Sequence, residues 1–415
     1  MNDAPLRGLL VVEAASFVAG PSGGMALAQL GADVIRVDPP HGGSDRHRWP
    51  VAASGASLYW AGLNKGKRSV VIDLRDPRGR ELLLELATVP GPGSGIFLDN
   101  MVSRGRLTFE ELSARRPDVV HLHVQGRADG GPAVDYTVNA GIGVPHMTGP
   151  EGADIPVNQV LPAWDLLTGM TAATGILAAL HRRALTGQGS RIDLALADVA
   201  LSAVGNLGWL AEAELAARGR PRLGNHVYGS FGVDFATSDG GRVMVMALTD
   251  AQWQALCRVT GTAEIFEVLG TSLGADLRDE AERYRLREPI AGLLRPWFAE
   301  RTLAQVGGEL ETARVLWGPY RRMDQAAYAA RSAPGSVAGE IHQPGVGPML
   351  ATAGPLRWAG EVGVRAPAPL LGQDTEQVLA EMLELDQAEI GRLIDQGVVE
   401  VAPTSEPSSR KAIHA

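Results

Sequence analysis

Asp165 is the residue in this chain whose type and setting best suit covalent chemistry. It stands at the head of WDLLTGMTAATGILAALHRR, in which Leu166, Leu167, Met170, Ala173, Ile176, Leu177 and Leu180 recur at helical spacing. The position predicts an N-cap, where a carboxylate accepts hydrogen bonds from orphan backbone amides. It also predicts a nucleophile, because a helix N-terminus favours the ionised carboxylate, the form that attacks an acyl carbon. The two uses are compatible, and local spacing does not choose between them. A second group is basic: Lys65, Lys67, Arg68 and Arg75 surround the apolar run SVVIDL. On charge alone the cluster reads either as a solvated face or as an anion site, where Lys and Arg make charge-assisted hydrogen bonds to phosphate. The isolated His146 and His181 read as structural.

The elements that must position these groups alternate strand and helix. Residues 9–12, 32–37, 69–74, 96–98 and 119–124 read as buried strands. Asp76 with Pro77 starts one intervening helix, and the pair Thr108 and Glu111 starts another as a capping box. The Asp165 helix ends in His181-Arg182-Arg183, Gly187 and Gly189 make its turn, and Ile192, Leu194 and Leu196 alternate as a strand. This alternation predicts a doubly wound α/β domain to about residue 200. Gly20, Gly23 and Gly24 follow the first strand and Asp38 ends the second, which invites a dinucleotide reading. The glycines do not make G-x-G-x-x-G, so a nicotinamide-dependent oxidoreductase is the weaker alternative. Residues 201–219 read as one long helix, and 243–248 as a strand followed by a helix that Thr249 caps. The expected partition is 1–205 as the first part of a large domain, 206–224 as a linker helix and 225–330 as a smaller α+β domain. After these come 331–365 as an extended linker, 366–402 as two short helices of the large domain, and 403–415 as a disordered tail.

Composition narrows the class. A net charge of −9 argues against broad nucleic-acid or anionic-membrane binding while leaving room for a local basic pocket. Cys257 is the single cysteine, so no internal disulfide and no multi-cysteine zinc site can form. The N-terminal apolar run is too short and too acidic for a signal peptide, and no apolar run of transmembrane length is read. A reducing, cytoplasmic setting is expected.

Four stretches occur in register: AGPSGGMALAQLGADVIRVDPP, LNKGKRSVVIDLRDPRGRELL, the Asp165 segment through TGQGSRIDLALADVAL, and APAPLLGQDTEQVL. Together they resemble the family III CoA-transferases, over nearly the whole chain. The resemblance implies a Rossmann-like large domain built from both chain ends, a smaller α+β domain from the middle, and an interlocked homodimer. It implies that Asp165 is the catalytic aspartate, acylated first as a mixed anhydride and then as an aspartyl-CoA thioester. It places CoA contacts on Val18 and Ala19 in the first turn, on Ile72, Asp73, Leu74 and Arg75 after the third strand, on Asn100, Met101 and Arg104, and on Asp135. No tightly bound cofactor is implied, since CoA enters as part of the substrate.

Two departures bear on the reaction. Racemases of the family carry a His in the segment that here reads GPAVDYTVNAG, with Val134 in its place beside Asp135. Racemisation needs a base on each face of the α-carbon, so it is disfavoured. Pro39-Pro40 replaces a common basic CoA contact, for which Arg46 or Arg48 could substitute. Within the family, PVNQVLPAWD and RLGNHVYGSFGVDFATSDGGRVMVMALT resemble members that move CoA between the two carboxylates of one short dicarboxylic acid, mesaconate. Transfer to a separate acid such as succinate is the alternative. Asn225 and Tyr228, with His226 between them, are the candidates for holding the second carboxylate.

Overall fold

The computed structural model describes residues 4–102 and 105–403. Strands β1 (Leu10–Ala14), β2 (Asp33–Asp38), β3 (Arg68–Ile72), β4 (Ile96–Asp99), β5 (Val120–Gln125) and β6 (Ser190–Ala195) are all parallel. They lie in the order β3-β2-β1-β4-β5-β6, the order of a doubly wound sheet, which reverses direction between β1 and β4. Val399–Glu400 pairs antiparallel with β3, so the end of the chain closes the sheet that its beginning opened. Strands β1 to β5 are buried along most of their length, as in a sheet covered on both faces, whereas β6 at the edge alternates.

The first helices are α1 (Ala19–Gln29), α2 (Leu58–Leu63), α3 (Pro77–Ala87) and α4 (Phe109–Arg115), and α5 (Asp135–Gly141), α6 (Val144–Met147), α7 (Ala163–Thr186) and α8 (Leu196–Asn206) follow. Local signals start several of them as read: Asp76 accepts from Arg78 N–H with Pro77 at the first position, and Thr108 and Glu111 close a capping box. Gly187 ends α7 in the left-handed region at φ 69. The 24-residue α7 is long and apolar enough to cross a membrane by composition. Here Ala172, Ala173 and Ile176 instead pack into the core with Val11, Leu98 and Leu122 of the sheet.

Two compact units share the chain. The first takes residues from both chain ends and Gln159–Leu210; the second is Gly143–Asn158 with Ala211–Ala326. The second unit holds an antiparallel sheet of Phe231–Ala236, Arg242–Ala247 and Leu316–Pro319. Its core gathers Phe231, Phe235, Trp253, Leu256, Ile290 and Phe298. Thr249 caps Asp250–Thr260 through a box with Gln252, and Cys257 lies buried in that helix, its thiol pushed up to about 12 by burial.

Two expectations need correction. The long helix over 201–219 is two helices, α8 and Trp209–Ala216, because Gly208 at φ 77 breaks it. The stretch 331–365 is not a plain extended linker: Ala338–Gln343 with Gly347–Thr352 forms an antiparallel hairpin. Arg357–Trp358 pairs with Glu361–Val362 as a second, shorter one. The tail beyond residue 403 lies outside the described residues.

Beneath the β1–α1 turn lies a buried ionic network. Lys67 Nζ donates to both oxygens of Glu13 at 2.8 and 2.9 Å, to Pro21 O and to Asn64 Oδ1. Arg36 forks onto Asp38 and reaches Asp45 and Asn64, and Asp45 Oδ2 accepts from Phe17 N–H at 3.0 Å. Burial pushes the Glu13 carboxyl up and the Lys67 ammonium down to about 8, each resisted by the other's charge. Gly24 makes room for the pair, since a Cβ there would meet Glu13 Oε2 at 1.7 Å. Removing one partner of such a pair leaves an uncompensated buried charge. Lys67→Met is therefore expected to lower the unfolding free energy by about 3–5 kcal/mol. Adding Glu13→Gln should recover part of that loss; urea unfolding curves of the two variants check both.

Candidate active site

The candidate residues lie at the carboxyl edge of the parallel sheet, where open α/β sheets bind ligands. The reversal between β1 and β4 opens the crevice there, and one side chain spans it. Asn100, just past β4, accepts from Ser16 N–H at 3.0 Å and donates to Ser16 O at 2.9 Å, so it fixes the β1–α1 turn like a strand neighbour. Asp99 supports that position from below, accepting from Met101 N–H and bonding His121 and His123 at 2.6 and 2.8 Å. Burial raises the Asp99 carboxyl, but the two histidine bonds outweigh it and hold the group below its ordinary value.

Helix α1 begins at this turn. Val18 precedes it without any side-chain cap, and Val18 and Ala19 are each 5% exposed. A ligand would meet their backbone, as it would that of the fully buried Ile72. Past β3, Asp73 and Arg75 are bound to each other through two side-chain bonds, at 2.9 and 2.8 Å, with Arg75 exposed. Leu74 packs against the sheet core beside them, as does Met101. Arg104 lies outside the described residues.

Helix α7 reaches the same edge by an unusually close approach to α1. A Cβ on Gly169 would stand 2.7 Å from Ala19 O and 3.0 Å from Gly23 N, and a Cβ on Gly23 would stand 2.9 Å from Gly169 O. Only glycine at both places lets the two backbones touch. Asp165, one turn before Gly169, is thereby carried to the β1–α1 turn.

Asp165 is the third residue of α7, not its N-cap; that place is held by Pro162, whose side chain caps nothing. The capping group comes from 30 residues earlier. Asp135 Oδ2 accepts from Trp164 N–H at 2.8 Å and Asp165 N–H at 3.0 Å. Asp135 is 2% exposed, and its other oxygen is buried without a hydrogen-bond partner. Asn139, one turn along α5, accepts from the Trp164 indole at 3.0 Å, and the Tyr136 hydroxyl donates to Val160 O at 3.1 Å. Helix α5 is thus a brace on the start of α7. This use of Asp135 differs from the ligand contact expected for it.

The Asp165 carboxylate itself receives no hydrogen bond among the described residues. Burial raises it to about 7, the Asp135 charge adds to the shift, and Arg48 opposes it. Arg48 lies 5.6 Å from the Phe17 ring centre and 5.3 Å from that of Tyr59. The Tyr59 hydroxyl is pushed up to about 12, chiefly by burial. Phe17, Tyr59 and Tyr136 were not singled out in the sequence: no spacing signals them, because a loop, α2 and α5 bring them from three places.

Other candidates have different partners. Lys67 is locked to Glu13, Lys65 donates to Thr352, and Arg68 pairs with Asp33 and Glu381, so three of the four basic residues serve as scaffold and Arg75 alone of them stands exposed. Asp38, the would-be ribose ligand, is 2% exposed and forked by Arg36, which removes the dinucleotide reading at that residue. In the second unit Asn225 bonds Asp234, and the Tyr228 hydroxyl donates to Glu212 beneath the Arg220 guanidinium. His226 pairs with Glu288 at 2.9 Å. His146 and His181 enter no described ion pair. No cluster of three metal-ligating side chains exists among the described residues.

The raised Asp165 has a stability consequence. Unfolded, an aspartate loses its proton near pH 3.9; folded, Asp165 keeps it to about 7. Between those values the native state binds more protons, so this group's contribution to stability falls as pH rises through the window. Asp165→Asn is expected to stabilise the protein at pH 8 by about 1–3 kcal/mol, after allowance for solvent screening. The gain should vanish by about pH 4, which unfolding curves at the two pH values test.

Known proteins share this chain's sequence and fold. The family model described as CoA-transferase family III matches residues 6–375. The 2-methylfumaryl-CoA isomerase of Chloroflexus aurantiacus is 49% identical over 95% of this chain and 97% of its own. The succinate–glutarate CoA-transferase of Agrobacterium fabrum is 30% identical over 92% of this chain and 97% of its own. The crystal structure of a CAIB/BAIF family protein from Brucella suis superposes with a TM-score of 0.73 at 25% identity, covering 92% of this chain and all of that one. On its sequence and its fold alike, the chain belongs to CoA-transferase family III.

Proposed function

We propose that the protein moves CoA between the two carboxylates of mesaconate, as a 2-methylfumaryl-CoA isomerase. The observation that carries this reading is an unpaired, half-buried carboxylate, Asp165, at the ligand edge of a chain 49% identical to such an isomerase. In this reading an Asp165 oxygen attacks the thioester carbonyl carbon, the C–S bond breaks, and the thiolate leaves with the electron pair. The thiolate then attacks the Asp165 carbonyl carbon of the anhydride and expels the substrate carboxylate. The far carboxylate of the same acid attacks the aspartyl-CoA thioester, and the two steps run in reverse. Each step exchanges one activated acyl bond for another, so no thioester energy is lost provided that water is excluded.

CoA would lie along the carboxyl edge, its phosphates on the uncapped N-terminus of α1 and on Arg75 and Arg104, with backbone contacts at Val18, Ala19, Ile72, Asp73, Leu74, Asn100 and Met101. Arg75 would exchange Asp73 for a phosphate oxygen. Asn225 and Tyr228 remain the candidates in the second unit for the far carboxylate, and Arg48 is the cation already facing Asp165. We further take the enzyme to be a cytoplasmic, interlocked homodimer.

Asp165→Ala is expected to abolish turnover, by 10⁴-fold or more on the order of covalent catalysis, while CoA binding by calorimetry stays within a few-fold. Mesaconyl-CoA incubated alone should isomerise, and labelled free mesaconate should stay out of the thioester pool. Entry of the label would instead favour transfer to a separate acid, the activity named in the Agrobacterium relative.

A further inference from the structure

The Asp135 carboxylate presents two observations that a simple helix cap leaves unexplained. Ser, Thr or Asn cap helices as well as Asp does, without burying a charge. Yet a carboxylate stands here, 2% exposed, with one oxygen on two α7 amides and the other, Oδ1, without a partner. It also occupies the first position of α5; burial pushes its carboxyl up, and the Asp165 and Trp164 amides oppose that shift by holding the anion. The group that pays for this arrangement is its neighbour: Asp165, with no hydrogen bond of its own, faces that fixed charge.

We propose that Asp135 is a positioning residue that caps the helix carrying Asp165 and holds a negative charge against it, so favouring the covalent states of Asp165 over its free carboxylate. This rests on the covalent reading above. When Asp165 attacks the thioester, its negative charge leaves with the thiolate sulfur. When the thiolate in turn attacks the anhydride, the charge moves to the released substrate carboxylate. In both intermediates Asp165 is an uncharged acyl group, and the repulsion between neighbouring carboxylates is gone. The repulsion therefore raises the free enzyme and not the intermediates, which is how an interaction present only in the ground state speeds a reaction.

The groups facing Asp165 are Asp135 from α5, Arg48 from the loop before α2, and Tyr59 from α2, with Tyr136 of α5 beside Tyr59. Of these, Asp135 is the acid, and Asp135→Asn removes its charge while keeping an oxygen that can accept from the α7 amides. Mesaconyl-CoA is mixed with wild type and with Asp135→Asn, the reaction is quenched in acid, and the fraction of enzyme carrying CoA on Asp165 is read by intact mass and peptide mapping. The acid limb of kcat/KM is measured on both. We expect the adduct fraction to fall several-fold in the variant and the acid limb to move to lower pH by about one unit, a tenfold change in proton affinity. A change of fold alone would not shift that limb.

If wild type shows the adduct and the variant matches it in both readouts, the inference is overturned while the covalent reading stands. If wild type shows no adduct at Asp165, both are overturned. Should Asp135→Asn not fold, the reciprocal measurement decides: coupling acts equally on both partners. Carboxyl ¹³C resonances of Asp135 must then titrate at lower pH in Asp165→Asn than in wild type, and an unchanged titration overturns the proposal.

Discussion

The close approach of α1 and α7 is the contact from which the site follows. Glycines 23 and 169 remove the two side chains that would hold these helices apart, and each would otherwise place a Cβ within 3.0 Å of the facing backbone. Helix packing ordinarily separates axes by about 8–10 Å, with side chains filling the gap. Here backbone meets backbone one turn from Asp165. The consequence is positional: the nucleophile candidate arrives at the β1–α1 turn through rigid elements, not on a loop. The turn is held in its own right, by Asn100 across the sheet reversal and by Asp45 on the Phe17 amide. Both halves of the site are thus referred to the same sheet.

How much of this was legible follows from how local each signal is. Caps set by residues within three or four positions were readable, as at Asp76, Thr108 and Thr249. The doubly wound order followed from alternation and was found in the strands. The Asp165 cap was misplaced because its acceptor sits 30 residues away on α5. The basic cluster was open on charge alone because its partners are Glu13, Thr352, Asp33 and Glu381, 35 or more residues distant from the lysine or arginine that each binds. The break at Gly208 was missed because the apolar pattern runs on through a residue whose backbone leaves the helix. Propensity and periodicity report neighbours along the chain, whereas charge pairing and helix bracing are decided across it.

The charges near the turn fall into two kinds, and the contrast bears on which carboxylate can react. Glu13, Asp38 and Asp45 lie in the network beneath the turn, and each is buried and bound by Lys67, Arg36 or an amide. A carboxylate held by several donors is stabilised as an anion and is a poor nucleophile, because attack must first give those bonds up. Asp165 is held by none. Burial and the neighbouring Asp135 make its lone pairs more basic than those of an ordinary aspartate, the property that the proposed attack on a thioester carbon calls for.

That same elevation has a limit. A carboxyl that releases its proton near 7 is partly protonated at neutral pH and attacks only in its ionised fraction, so a much higher value would remove the nucleophile. Arg48, the cation facing Asp165, opposes the two raising effects. It sits against aromatic faces in place of a carboxylate partner, so its charge is not neutralised by a salt bridge among the described residues. The balance is therefore between one buried acid that raises basicity and one exposed base that keeps the anion populated. Because the acid reaches Asp165 from a braced helix and the base from a loop, the first is set by the fold.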